Sequence, residues 1–218
     1  MDSSTPDTRT ALLQAALVCF ADHGFDGASM RMIALKAGRP LSLLSHYFKN
    51  KEGLYLEVFK CVLESSAHHP AAFTPGKRLD PQDRQGAISL IREQIHLMFE
   101  QAVPKAALQN PLDDYRARLW VQELRTTRPS LHPIIRQYLN PAVEMMQSCI
   151  RVLRPDLNES QVVFLGITVM GQVVCHGMMS GLNKVLWGDP PPFGSHFQEA
   201  EFLVDFCLHG LRAGTPAD

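Results

Sequence analysis

No stretch of this 218-residue chain alternates apolar and polar residues over the length of a half-buried strand, so the sequence reads without β-structure. Metal and redox signatures are missing too. The five cysteines, Cys19, Cys61, Cys149, Cys175 and Cys207, are odd in number, far apart and set in apolar helical contexts, as reduced structural cysteines are. No CxxC or HExxH spacing occurs, and His68 and His69 are adjacent, so on a helix they point about 100° apart. "GITVMGQV" begins like a phosphate loop but lacks its lysine, "HGMMSG" lacks the spacing of a nucleophile elbow, and no pair of catalytic carboxylates can be defended. The expectation is no enzyme, with no catalytic residue, metal or cofactor. The N-terminus "MDSSTPDTRT" has no apolar run of the signal-peptide kind, which makes the cytoplasm the expected compartment. A global basic field is absent as well, the net charge being −1, so binding to nucleic acid would need a local patch.

Such a patch is there. Residues 29–60 carry six Lys or Arg against two Glu, whereas the sums over 1–28 and 61–218 are negative. Helical periodicity dominates the rest. Leu13, Ala16, Leu17 and Phe20 recur at helical spacing after a candidate cap at Asp7, and Gly24 is expected to stop that helix. A second helix should open at Ser29 and end at Gly38, a third should end near Phe48, and a fourth should run to about 69. Residues 70–83 hold three prolines and a glycine and read as a linker. Beyond it, helices are expected at about 84–102, 112–127, 130–153 (kinked or split at Pro141), 159–187 and 196–212. Asn158 with Gln161, and Ser195 with Gln198, have capping-box spacing. The uncharged run from Val162 to Asn183 is long enough to span a bilayer, but Gln172, His176 and four glycines dilute it. It reads as a buried interface helix, with Gly177 and Gly181 placed for close helix approach.

Two short helices separated by Gly38 and followed by a third are helix-turn-helix architecture. The order of residues is more telling. "LLQAALVCFADHGFDGASMRMIALKAGRPLSLLSHYFKNKEGLYLEVF" resembles the N-terminal DNA-binding domain of TetR/AcrR-family transcriptional regulators, over about residues 8–62. More weakly, "RARLWVQELRTTRPSLHPIIRQYLNPAVEMMQSCIRVLRPDL" with "VMGQVVCHGMMSGLNKVLWG" resembles the C-terminal domain of the CerR/CecR-type branch of that family. The resemblance implies an all-α chain, with a helix-turn-helix domain over 1–55 and a larger C-terminal helical ligand-binding and dimerisation domain over 84–218. It implies a homodimer through the last two helices, double-stranded DNA with a palindromic operator as partner, and a small-molecule effector that changes the separation of the reading heads.

Carried over residue by residue, Tyr47 and Lys51 match phosphate-holding positions, Ser29 matches a position that caps the second helix and can donate to phosphate, and Arg31 matches one that reaches groove or backbone. Leu41, Ser42, Leu43, Ser45 and His46 fall where the family reads bases. The chain departs from the family at Arg39-Pro40, where a small apolar residue and a hydroxyl cap are usual, and at Leu43 and Ser45. Arg39 could add a phosphate contact, and leucines at 41 and 43 would favour thymine methyls or be permissive. For an effector of hydrophobic or aromatic kind, the inward polar or aromatic residues His96, Tyr115, Arg118, Gln122, Glu123 and His176 are the candidates. The rival is an all-helical small-molecule-binding or interaction protein whose altered third helix reads DNA poorly.

Overall fold

A computed structural model of the chain describes residues 7–65, 79–102, 110–188 and 192–212. Among these residues the regular elements are helical: α1 Thr8–Gly27, α2 Met30–Ala37, α3 Leu41–Phe48, α4 Lys51–Ser65, α5 Arg84–Ala102, α6 Asp113–Arg125, α7 His132–Leu153, α8 Glu159–Met178, α9 Ser180–Trp187 and α10 His196–Arg212. The expected end of α4 near 69 and most of the expected linker, 70–78, lie outside the described residues. The chain divides into two compact units, 1–66 with 106–136 and 67–105 with 137–218. The sequence-based division, with everything from 84 onward in one domain, differs at α6, which packs on α1 and α4.

The first unit is built around Leu12, Ala16, Phe20, Ile33, Leu44, Leu54, Tyr55, Phe59 and Leu119, each almost wholly buried. Gly24 (φ 69, ψ 174) stops the first helical run of α1, as expected, and a short separate turn follows across the kink to Gly27. Asp7 sits at the cap position of α1, yet its side chain makes no capping bond. Ser29 does cap α2, its Oγ accepting from Met32 N–H at 3.1 Å. Gly38 closes α2 in the left-handed conformation, with Arg39 N–H bonded back to Ala34 C=O at 3.0 Å. Between α3 and α4 the chain turns through Lys49 at φ 58, and Asn50 Oδ1 accepts from Gly53 N–H at 2.8 Å. A Cβ on Gly53 would stand 2.6 Å from Phe48 O, so only glycine lets α4 start this close to the end of α3.

In the second unit, α5 contributes Ile91, Ile95 and Phe99, α7 contributes Met146, Cys149 and Ile150, α8 contributes Val162, Val169 and Val173, and α10 contributes Val204 and Leu208 to one core. Arg84 donates to the terminal carbonyls Val152 O and Leu153 O of α7 at 3.3 and 3.2 Å. Arg92 and His96 of α5 both reach Glu201 of α10. The helix α7 runs through Pro141 without being split. The missing donor would have served the carbonyl of Gln137, an exposed residue whose C=O water can satisfy. Asn158 and Gln161 form the expected capping box, with bonds of 3.0 and 2.9 Å. The single helix expected over 159–187 is two, broken at Met179. Among the described helices, Glu159–Met178 is long and apolar enough to cross a membrane, with a mean hydropathy of 1.5, and 22% of that window is buried. Its exposed positions Phe164 and Ile167, and Phe202 and Phe206 on α10, leave large apolar side chains in the open on both helices.

Candidate nucleic-acid interface

The period of a helix sorts α3 into two faces. Leu44 and Phe48, four apart, are buried against the rest of the unit; Leu41, Ser42, Ser45, His46 and Tyr47 are exposed. Leu43, expected to face outward, is half-buried, since it lies next to Leu44 at the margin of the inward stripe. The Ser45 hydroxyl lies 3.5 Å from Leu41 C=O, and the His46 and Tyr47 rings meet edge to face at 5.4 Å. Pro40 occupies the cap position of α3, ahead of the first helical residue, and provides no side-chain cap. Arg31 is exposed on α2. Arg39 is half-buried, and its Nε has no hydrogen-bond partner among the described residues.

Lys51 is not a free surface cation. Its ammonium donates to Ala28 C=O at 2.9 Å and lies 3.4 Å from Asp26 C=O, while standing 4.5 Å over the Phe25 ring. The opposite charge on the turn comes from Asp26, paired with Arg128 at 3.1 Å, and the Arg128 guanidinium lies 4.1 Å from the centre of the same Phe25 ring. Two cations therefore hold the last turn of α1 through the Phe25 ring. Sequence reasoning assigned no role to Arg128 or Phe25, because their partners are far off in the chain.

Four of the expected effector residues lie on α6 and anchor it within the first unit. Glu123 is buried; its Oε1 accepts from the Tyr55 hydroxyl at 2.6 Å and its Oε2 from Arg128 N–H at 3.0 Å. Burial, and then the neighbouring Glu123 carboxylate, push the Tyr55 hydroxyl far above the ordinary phenol range, so it stays a donor. Gln122 donates to Ala21 C=O at 3.0 Å, Arg118 pairs with Asp22 and Asp114 at 3.0 Å each, and the Tyr115 ring lies under Arg118 at 4.6 Å. Gln122 and Glu123 also line an open cleft of about 540 Å³ with His23, Phe25, Tyr55 and Arg128.

The remaining two lie in the second unit. His96 pairs with Glu201. Burial acts to raise Glu201, but the His96 ring and the Arg92 guanidinium outweigh it and hold the carboxyl below the ordinary range. His176 stacks between Phe99 (5.0 Å) and Trp187 (6.1 Å) and lines a cavity of about 240 Å³. That cavity includes Glu199, Phe193 and Phe202, which periodicity alone did not single out. Among the described residues no group of three or more metal-ligating side chains occurs.

Residues 12–58 match the model of bacterial regulatory proteins of the tetR family. Over 52 residues, 24% of this chain, the sequence is 36% identical to the HTH-type transcriptional repressor AcnR of Corynebacterium glutamicum, covering 28% of that protein. Over 56 residues, 26% of each chain, it is 39% identical to the HTH-type transcriptional regulator RutR of Escherichia coli. The matches thus span about a quarter of these relatives' length. The crystal structure of a TetR-like transcriptional regulator from Rhodococcus sp. RHA1 superposes over 97% of this chain and 100% of its own at a TM-score of 0.59 and 18% identity, a likeness of fold. These relatives and neighbours are regulators of transcription, not enzymes. Residues 12–58 are therefore similar to the N-terminal domain of the tetR-family regulators, in a chain with the fold of TetR-like regulators.

Proposed function

We propose that the chain is a dimeric, ligand-responsive DNA-binding regulator acting in the cytoplasm, a repressor of neighbouring genes released by a small hydrophobic or aromatic effector. The observation that carries it is the tetR-family match over 12–58 together with the exposed face of α3 within it. On this reading α3 enters the major groove of a palindromic operator. Leu41 and Leu43 pack on thymine methyls, His46 and the Ser42 and Ser45 hydroxyls meet base edges, and Ser29, Arg31, Arg39, Tyr47 and Lys51 hold phosphates. The exposed apolar residues of α8 and α10 support dimerisation through those helices, and the residues of 116–157 and 169–188 support a C-terminal domain of the CerR/CecR-type branch. An effector then need only favour the wide-apart dimer by a few kcal/mol to release DNA. The rival, an interaction protein with weakened DNA reading, draws on one observation: Lys51 is already bonded to Ala28 C=O.

A salt titration of binding to DNA from the gene's own upstream region tests the proposal. Binding should be at least about a thousandfold tighter than to random duplex at physiological salt and weaken steeply with salt. Arg31→Ala should lower the slope by about one without moving the melting temperature. Lys51→Met should lower the slope, its ammonium leaving Ala28 for a phosphate in the complex, and should lower the melting temperature as well, through the lost bond to Ala28 C=O. A slope unchanged in both variants, with no preference for the upstream DNA, gives the case to the rival.

A further inference from the structure

We propose that the cavity of about 240 Å³ in the second unit is a receptor for a small organic cation, an ammonium carried on an apolar body. This names the chemistry of the effector and rests on the ligand-responsive reading above.

The walls are aromatic. Phe99 and His176 face each other at 5.0 Å, His176 and Trp187 at 6.1 Å, and Phe193 stacks on Phe202 at 4.6 Å. Aromatic faces carry negative charge density and attract an ammonium placed over them. Among these rings lies Glu199, whose side chain is 7% exposed. Among the described residues no Lys or Arg lines the cavity, and the ion-pair partner that Glu199 has there is the His196 ring, Nδ1 to Oε2 at 2.8 Å. That ring is itself largely exposed and carries charge only when protonated. A carboxylate buried against rings without a permanent countercharge is costly, and a cationic ligand offsets that cost directly. A neutral apolar ligand would deepen the burial of the carboxylate with no charge to meet it, and an anion would be repelled. Gln172, on the same lining, has a side-chain carbonyl able to accept from an N–H of a primary amine. The volume, below the roughly 300 Å³ at which drug-sized pockets begin, suits a compact head.

The test uses the full-length protein, choline as the cationic probe and 3,3-dimethyl-1-butanol as its neutral isostere, read by tryptophan fluorescence and melting temperature. Choline should bind at least about tenfold tighter than the isostere. Glu199→Gln, which keeps shape and a hydrogen bond to His196, should abolish that preference. Trp187→Leu, at a position 44% exposed where little core is lost, should weaken choline about two- to thirtyfold, read by the melting-temperature shift because the reporting indole is gone, while the circular dichroism stays unchanged. Equal binding of the two probes, or a preference for choline that survives Glu199→Gln, overturns the proposal. So does binding of neutral apolar compounds from a small library with no binding of choline, an outcome that leaves ligand responsiveness itself intact. If no compound of either kind binds or releases DNA, the ligand-responsive reading falls with it.

Discussion

The pairing of Tyr55 with Glu123 shows how much the first unit depends on one buried polar contact. The carboxylate of Glu123 has left water and is compensated by the Tyr55 hydroxyl, the Arg128 backbone N–H and, at 3.7 Å, the Arg128 guanidinium. Removing the hydroxyl leaves a buried acceptor short of a donor while the ring, packed against Phe20 and Phe25, keeps its place. Tyr55→Phe should therefore destabilise the protein by about 1–3 kcal/mol, seen as a lower urea midpoint at unchanged slope. A variant as stable as the parent would mean that water takes the place of the lost hydroxyl donor. The same cluster reaches the reading head, because Arg128 and Lys51 hold Phe25 between them.

Between elements, the tie of α5 to α10 is ionic at its edge and apolar beneath. Glu201 accepts from His96 and Arg92, and its carboxyl titrates lower in the folded chain than in the unfolded one. A depressed carboxylate adds stability that is full above the unfolded value of about 4.3 and is lost as pH falls through the folded value. The melting temperature of the parent should thus drop on acidification below about pH 4.5. Glu201→Gln should melt lower at pH 7 and lose less between pH 5 and 3, in a calorimetric pH series. Parallel curves for the two proteins would remove Glu201 from the account.

For the whole molecule, the open apolar side chains of α8 and α10 have the largest consequence. Phe164 is 68% and Phe206 62% exposed in a single chain, with Ile167 and Phe202 similar, and the glycines at 171 and 210 leave room beside them. Rows of this size are rare on monomers, and the proposed dimer would cover them. Phe206→Lys should shift the protein from dimer to monomer in sedimentation at micromolar concentration and reduce affinity for a two-half-site operator by about a hundredfold or more, since the two heads then bind independently. Single-head binding in the variant should survive, as Phe206 is no part of the first unit.

Local order alone determined the helix-turn-helix. The Ser29 cap, the left-handed Gly38 and the inward pair Leu44 and Phe48 act over four residues or fewer, so their effect can be read along the chain. The capping box at Asn158 is legible for the same reason. Tertiary structure decided the rest. Periodicity placed Leu119 and Glu123 on one inward stripe of α6, but a stripe does not say which helix it faces, and it faces α1 and α4. Lys51 reads as a surface cation until the fold brings the carbonyl of Ala28, 23 residues earlier, within reach. Glu199 reads as an acidic residue in a first helical turn, where it suits the helix dipole; only the fold buries it, in the wall of a cavity that Phe99, Trp187 and Phe202 also line. Caps and faces are properties of one segment, whereas burial of a charge is a property of everything that packs against it.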